Sequence, residues 1–157
     1  MKLLPTRNQW LLRRSARIGV APVWVWIPNG RRQGEINFHR QDRRLFGCFD
    51  PAFVIPFRYE GRRWASILQW IQGTTPEVWE HPPHSQEAVS KVMEGLRTQF
   101  TQHPGYRMQL ISTKYRVLRY DNARDAFWGC GPTGAGENRY GRLLMALRKE
   151  FSKEVTS

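Results

Sequence analysis

The sequence predicts an α+β fold: a single compact domain, mainly helical with a few short strands, preceded by a basic N-terminal extension. Helical and strand-like segments are interspersed, without the regular alternation that a doubly wound parallel sheet needs. The chain has 157 residues, the length of one domain. Apolar residues make up 40% and charged residues 24%, enough for a core and too apolar for a disordered chain. No run of about 18 uncharged apolar residues occurs, so no membrane-spanning helix is expected.

The elements follow in order. Residues 7–18 read as a short helix, with Trp10, Leu11, Arg14 and Ile18 partly on one side. Val23, Trp24, Val25, Trp26 and Ile27 have the β-branched and aromatic make-up of a strand. Pro28-Asn29-Gly30 is a turn signal, and residues 36–38 suggest a second strand, so residues 22–39 are expected to form a hairpin with a long basic loop. Residues 40–64 read as irregular to extended, yet Phe46, Phe49, Phe53, Val54, Ile55, Phe57 and Tyr59 are too apolar for a solvated loop. Glu60-Gly61 marks a turn, and residues 64–73 a short buried helix stopped by Gly73. Residues 74–84, with Pro76, Pro82 and Pro83, read as loop.

The clearest helix follows Ser85, a candidate N-cap, with Gln86 and Glu87 in the first turn. Val89, Val92, Met93, Leu96 and Phe100 recur at helical spacing until His103-Pro104. Residues 105–112 suggest another short helix and 115–120 a strand. The last helix is expected over 138–151, with Leu143, Leu144, Leu147 and Phe151 inward and Arg142, Arg148 and Lys149 on another face.

Charge is the most informative bulk property. There are 25 basic against 13 acidic residues, a net charge of +12. Residues 1–63 hold 13 basic and 4 acidic residues, and no acid precedes Glu35. This asymmetry points to a partner with phosphates or an anionic surface. The pairs Arg13-Arg14, Arg31-Arg32, Arg43-Arg44 and Arg62-Arg63 are interleaved with Trp10, Trp24, Trp26, Phe46 and Trp64. Arginine beside aromatic platforms is the chemistry of single-strand binding, so these eight arginines are the expected contacts to a nucleic acid or nucleoprotein assembly. A solvated basic face over a Trp-rich core is the plainer reading of the same pattern. The acid-free, arginine-bearing N-terminus also resembles a mitochondrial presequence, though it is poor in serine.

Cys48 and Cys130 lie too far apart in sequence for a zinc site or a disulfide framework. An intracellular, reducing compartment is the expectation, with the mitochondrial matrix as a variant. His39, His81, His84 and His103 are scattered, with no cysteine at ligand spacing, so neither a metal nor another cofactor is expected.

Residues 129–136 contain Gly129, Gly131, Gly134 and Gly136 just before a helix start. Pro132 and the absence of a following strand reject a dinucleotide fingerprint. Glycines still let backbone approach a ligand closely, and a helix N-terminus offers N–H groups to an anion. Trp128 flanks the loop, and Asp125, Glu137 and Asn138 bracket it. Capping and surface roles are the simpler reading of those three.

The C-terminal part resembles the NADAR family. The resemblance lies in residues 93–104, in Asp125-Ala126-Phe127-Trp128-Gly129-Cys130-Gly131, and in Gly134-Ala135-Gly136-Glu137-Asn138 leading to Gly141 and Leu143-Leu144-Met145. Ile36-Asn37-Phe38, Phe46-Gly47-Cys48-Phe49 and Tyr59-Glu60-Gly61 with Trp64 extend it upstream. The implied organisation is a basic extension or hairpin over 1–35, a NADAR-like domain over 36–152 and a tail over 153–157. Family members include N-glycosidases of riboflavin-pathway intermediates and enzymes that remove ADP-ribose from guanine. The resemblance implies a ligand site built from Phe46, Phe49, Trp64, Trp128, Gly129, Gly131, Gly134, Gly136 and Asn138.

The departures are as informative. After the tryptophan that matches Trp64, the family carries Glu-His-Tyr, then Gln, then a Lys; here those positions are Leu68, Gln69, Trp70, Gln72 and Thr75. The family's Ser-Asn in the aromatic loop is Gly47-Cys48. The Glu and Lys positions are thought to carry the family's chemistry, since a carboxylate can activate water and an amine can attack an opened ribose. Two readings follow, and the sequence leaves it open whether the chain is an enzyme. In the first, the chain is a catalytically impaired scaffold or binding subunit associated with nucleic acid. In the alternative, it is an active N-glycosidase acting on ADP-ribosylated guanine or a related nucleotide, with Asp125 as the catalytic group. A role on a small riboflavin intermediate would not call for so basic a chain.

Overall fold

In a computed structural model, residues 34–39, 46–76 and 85–156 are described. The strands are β1 (Glu35–Phe38), β2 (Phe57–Tyr59), β3 (Arg62–Trp64) and β4 (Val117–Tyr120). The helices are α1 (Ile67–Thr74), α2 (Gln86–Gln102), α3 (Pro104–Ser112) and α4 (Arg139–Thr156), with a 3-10 turn at Gly47–Phe49. The α+β expectation holds. One two-stranded sheet is the parallel pair β1–β4 and the other the antiparallel hairpin β2–β3.

The partner of β1 differs from the expected hairpin. Its residues pair in parallel with β4, from Glu35 opposite Val117 to Phe38 opposite Tyr120. Parallel strands need a long crossover, and here it contains the hairpin and three helices. Residues 22–33, the first arm of the expected hairpin, lie outside the described residues, as does the helix expected over 7–18.

The Glu60-Gly61 turn is confirmed as the tip of β2–β3. Both residues have positive φ, 49° and 77°, the pattern of a type I′ turn that matches strand twist. Trp64 corrects an expected boundary, because it closes β3 instead of opening a helix. Ser66 is the true N-cap of α1, its hydroxyl accepting from the Gln69 N–H at 3.2 Å.

Helix α2 begins where its cap predicts, with the Ser85 hydroxyl accepting from the Ala88 N–H at 3.1 Å. It ends at His103, since the residue before Pro104 is disfavoured in the α region. Its buried face is Ala88, Val92, Gly95, Leu96, Gln99 and Phe100. Trp70 of α1 is fully buried and lies against Gly95, where any side chain would run into its ring.

Helix α4 runs through residues 153–156, which were expected to form a tail. Tyr140, Leu144, Leu147 and Phe151 are its core residues. Arg148, expected on the polar face, turns inward and donates to the Thr113 hydroxyl at 2.7 Å and the Arg116 carbonyl at 2.8 Å. It ties α4 to the turn that follows α3.

The second edge of β4 is closed by a side chain. Asn138 accepts from the Tyr120 N–H and donates to the Leu118 carbonyl, each at 2.8 Å. It does so from a positive φ of 52°, which Asn tolerates better than most residues. Asn138→Leu removes both bonds and leaves a buried donor and acceptor unpaired. At about 1–3 kcal/mol for each of the two unsatisfied groups, the expected loss is on the order of 2–6 kcal/mol, read from urea unfolding.

Candidate functional site

The loop between β4 and α4 carries most of the expected site residues. Asp125 anchors it, one carboxylate oxygen accepting from the Phe127 N–H at 2.9 Å and the Trp128 N–H at 2.8 Å. The chain then folds back on itself. Gly136 donates to the Cys130 carbonyl and Glu137 to that of Ala126, both at 2.7 Å. Asn138, Arg139 and Tyr140 donate to the carbonyls of Gly129, Phe127 and Trp128.

These bonds change the reading of the glycine loop. The N–H groups of Arg139 and Tyr140, at the start of α4, are already spent on the loop and are not offered to an anion. The close approach that the glycines permit is to the loop's own backbone. A Cβ on Gly136 would stand 2.6 Å from the Cys130 carbonyl carbon and 2.7 Å from the Ala126 and Gly129 carbonyl oxygens. Asn138 is the backbone N-cap of α4, yet its amide is committed to β4.

The expected aromatic platform is largely interior. Trp128 has 0% exposure and Phe49 1%, so neither offers a ring face to a ligand in this conformation. Trp64 is buried against Gly73, and the Arg62 guanidinium lies 4.1 Å from its ring centroid. Phe46 is half-buried, stacked on Phe49 at 5.8 Å, with the Arg116 guanidinium 5.5 Å from its ring. Phe127, part of the resembling motif but not of the expected ligand site, is half-buried beside Trp128 and has the Arg139 guanidinium 5.6 Å from its ring. It lies one residue from the tryptophan that drew attention, and only packing tells the two apart.

Helix α1, residues Ile67–Thr74, contains no ionisable side chain. Leu68 sits in its first turn, its N–H donating to the Pro51 carbonyl at 2.8 Å. Gln69 accepts from the Ala65 N–H at 2.6 Å, and Trp70 belongs to the core. Thr75, just past the helix, lines a cleft of about 360 Å³ together with Ser85, Ser90, Lys91 and Glu94.

The charged groups of that cleft come from α2, and Tyr59 of β2 joins two of them. Tyr59 donates to Glu94 at 2.5 Å, while Lys91 donates to the Tyr59 oxygen at 3.1 Å and to Glu94 at 3.0 Å. The Tyr59 hydrogen bond, then that of Lys91, holds the Glu94 carboxyl below its usual range. The same contacts raise Lys91, so it is an ammonium and not a free amine nucleophile. A depressed carboxyl contributes stability that is present above its unfolded pKa and lost as pH falls through the folded value. Glu94→Gln is therefore expected to lower the melting temperature at neutral pH, and the difference from the unchanged chain should vanish in acid. Both groups are partly exposed, so the effect is at most about 1 kcal/mol. The spacing of Lys91 and Glu94 on one helical face was visible in the sequence; the third member, Tyr59, was not.

Burial pushes the Cys48 thiol up to about 12, and it donates to Gln109 at 3.3 Å, so it is no nucleophile. Both cysteines are buried and unpaired with each other. Among the described residues no group of three or more His, Cys, Asp or Glu could hold a metal, and no helix is long and apolar enough to cross a membrane. His81 and His84 lie outside the described residues.

Of the eight arginines expected at a nucleic acid, Arg13, Arg14, Arg31, Arg32, Arg43 and Arg44 lie outside the described residues. Arg62 and Arg63 are exposed on β3. Arg58, which the sequence did not single out, stands directly opposite Arg63.

Two small sheets, helices packed over them and a self-bonded glycine loop leading into α4 define a compact α+β domain of one recognisable kind. The sequence pattern of the NADAR domain matches residues 38–152, and the chain belongs to that family. Over 61 residues it is 41% identical to the N-glycosidase YbiA of Escherichia coli K12, covering 39% of this chain and 38% of that protein. It is 37% identical over 58 residues to an N-glycosidase of Nostoc punctiforme, covering 37% of each. The chloroplastic riboflavin biosynthesis protein PYRR of Arabidopsis thaliana is 38% identical over 66 residues, 42% of this chain and 11% of that one. These matches thus span under two-fifths of the curated relatives' lengths. The NMR structure of E. coli YbiA superimposes with a TM-score of 0.62 at 24% identity, covering 81% of this chain and 90% of that one. That likeness establishes the shared fold.

Proposed function

We propose that this NADAR-domain chain is impaired in glycosidic-bond cleavage and serves as a binding or scaffold subunit associated with nucleic acid. The observation that carries the reading is the absence of any ionisable group on α1. Leu68 and Thr75 stand where the resemblance gives a carboxylate and an amine, and neither side chain can activate water or attack a ribose. The Lys91–Glu94 pair beside Thr75 does not restore the missing chemistry, because each group neutralises the other and the lysine stays protonated. The net charge of +12 supports a polyanionic partner over a small soluble substrate.

The alternative, an active N-glycosidase on ADP-ribosylated guanine or a related nucleotide, draws support from the retained loop and from relatives named as N-glycosidases. Its catalytic group would be Asp125. The two readings separate in one experiment that measures both hydrolysis of a guanine-ADP-ribosylated oligonucleotide and retention of that oligonucleotide as salt is raised. Retention without hydrolysis is the expected outcome.

A further inference from the structure

We propose that the outward face of the β2–β3 hairpin docks the phosphodiester backbone of a nucleic acid, with Arg58 and Arg63 as its phosphate-binding pair. The inference rests on the nucleic-acid reading above and gives it a place in the fold.

The register sets the pair. Phe57 faces Trp64, Arg58 faces Arg63 and Tyr59 faces Arg62. Side chains alternate across a sheet, so Phe57 and Trp64 point to the core while Arg58 and Arg63 share the solvent face. Both arginines are exposed, and among the described residues neither is in an ion pair. Like charges directly opposite each other on one face work against a hairpin. Stability alone would favour an acid or a threonine at one of the two positions. Two opposed guanidiniums are instead suited to one bridging anion, because each fork matches phosphate oxygens bidentately.

The hairpin is held rigidly. Three polar residues at the end of α2, Gln99, Gln102 and the C-cap His103, strap it down. Gln99 donates to the Ile55 carbonyl at 2.8 Å. Gln102 accepts from the Arg58 N–H at 2.9 Å and donates to the Arg58 carbonyl at 2.7 Å. The His103 ring meets the Pro56 carbonyl at 2.6 Å. Gln102 thus occupies the outer edge of β2, and a partner must bind through side chains and not as an added strand. A shallow cleft of about 260 Å³ lies between Arg58, Arg63, Gln102 and His103, and its lining carries no carboxylate.

The site reads charge and not sequence. The hairpin's aromatics all lie on its other face: Phe57 and Trp64 are buried, the latter with the Arg62 guanidinium over its ring, and Tyr59 is held by Lys91 and Glu94, so no base stacks beside Arg58 and Arg63. Each strand is only three residues long, a rise of about 10 Å. The face therefore engages one or two phosphates.

The test is the salt dependence of binding of a fluorescent single-stranded 20-mer to the full chain. Three proteins are compared: unchanged, Arg58→Gln with Arg63→Gln, and Lys149→Gln with Lys153→Gln. The last removes the same charge from exposed positions on α4. Each phosphate contact contributes about 0.7 to the slope of log K against log salt for a single strand. The hairpin variant should lose about 0.7 from that slope if one phosphate bridges the pair and about 1.4 if each arginine takes its own, while the α4 variant should lose much less. Arg58→Lys with Arg63→Lys should recover most of the slope. Arg58→Gln alone should raise the melting temperature while weakening binding, which a merely structural arginine would not do. Inorganic phosphate, if it competed as well as the oligonucleotide at equal phosphate concentration, would make the site one for free phosphate and overturn the proposal. Equal losses in the hairpin and α4 variants would overturn it as a bulk-charge effect and leave the nucleic-acid reading standing. No salt-dependent binding by the unchanged chain would overturn both.

Discussion

Gly141→Ala is expected to be among the most damaging single substitutions in the chain. The added methyl would collide with the Leu118 carbonyl oxygen, and it would stand 2.6 and 2.7 Å from the two terminal atoms of the Asn138 amide. Both neighbours are fixed, since Leu118 accepts from Asn138 and Asn138 also holds Tyr120. Two effects oppose each other. Alanine in a helix interior gains up to about 1 kcal/mol over glycine. Forcing a methyl into fixed backbone costs about 1–3 kcal/mol or more, and here it also displaces two hydrogen bonds worth about 1 kcal/mol each. The collision wins, and a net loss of about 3 kcal/mol or more is expected in urea unfolding. Gly105→Ala is the control, because nothing lies within 4 Å of its added carbon. It should be neutral or mildly stabilising. If Gly141→Ala proved as stable as the unchanged chain, α4 would not pack onto β4 as described.

The second large effect concerns turnover. Losing one general acid or base typically costs on the order of 10²–10⁴ in rate. A chain with leucine and threonine at the two positions should fall at least that far below E. coli YbiA on any N-glycoside that both are offered. Side-by-side turnover on one substrate checks this. Comparable rates would mean that another group does the work, and the search would turn to Asp125 and the Tyr59–Lys91–Glu94 cluster.

What the sequence revealed depended on how local each signal was. Helices α2 and α4 were legible because apolar residues recur at helical spacing and Ser85 marks a start. The Glu60-Gly61 turn was legible because turn chemistry is local. The pairing of β1 with β4 was not, since it joins residues about 80 apart in sequence and no nearby residue encodes it. Trp64 was misplaced by three residues because an aromatic suits the end of a strand as well as a buried helix. The glycine loop was correctly singled out, but composition cannot say whether the backbone that glycines admit is a ligand's neighbour or its own. Here it is its own, as the carbonyls of Ala126, Gly129 and Cys130 around Gly136 make plain. Arg58 escaped notice because it is not in a dibasic pair. Its partner, Arg63, lies across a turn that only the register reveals.

The most direct measurement is release of ADP-ribose from a guanine-ADP-ribosylated oligonucleotide by the unchanged chain and by Asp125→Asn. Asparagine keeps the oxygen that accepts from Phe127 and Trp128 and removes only the charge. Neither protein is expected to release ADP-ribose, and oligonucleotide binding is expected to weaken steeply as salt rises. Release by the unchanged chain that disappears in Asp125→Asn would contradict that expectation and establish the domain as a working N-glycosidase.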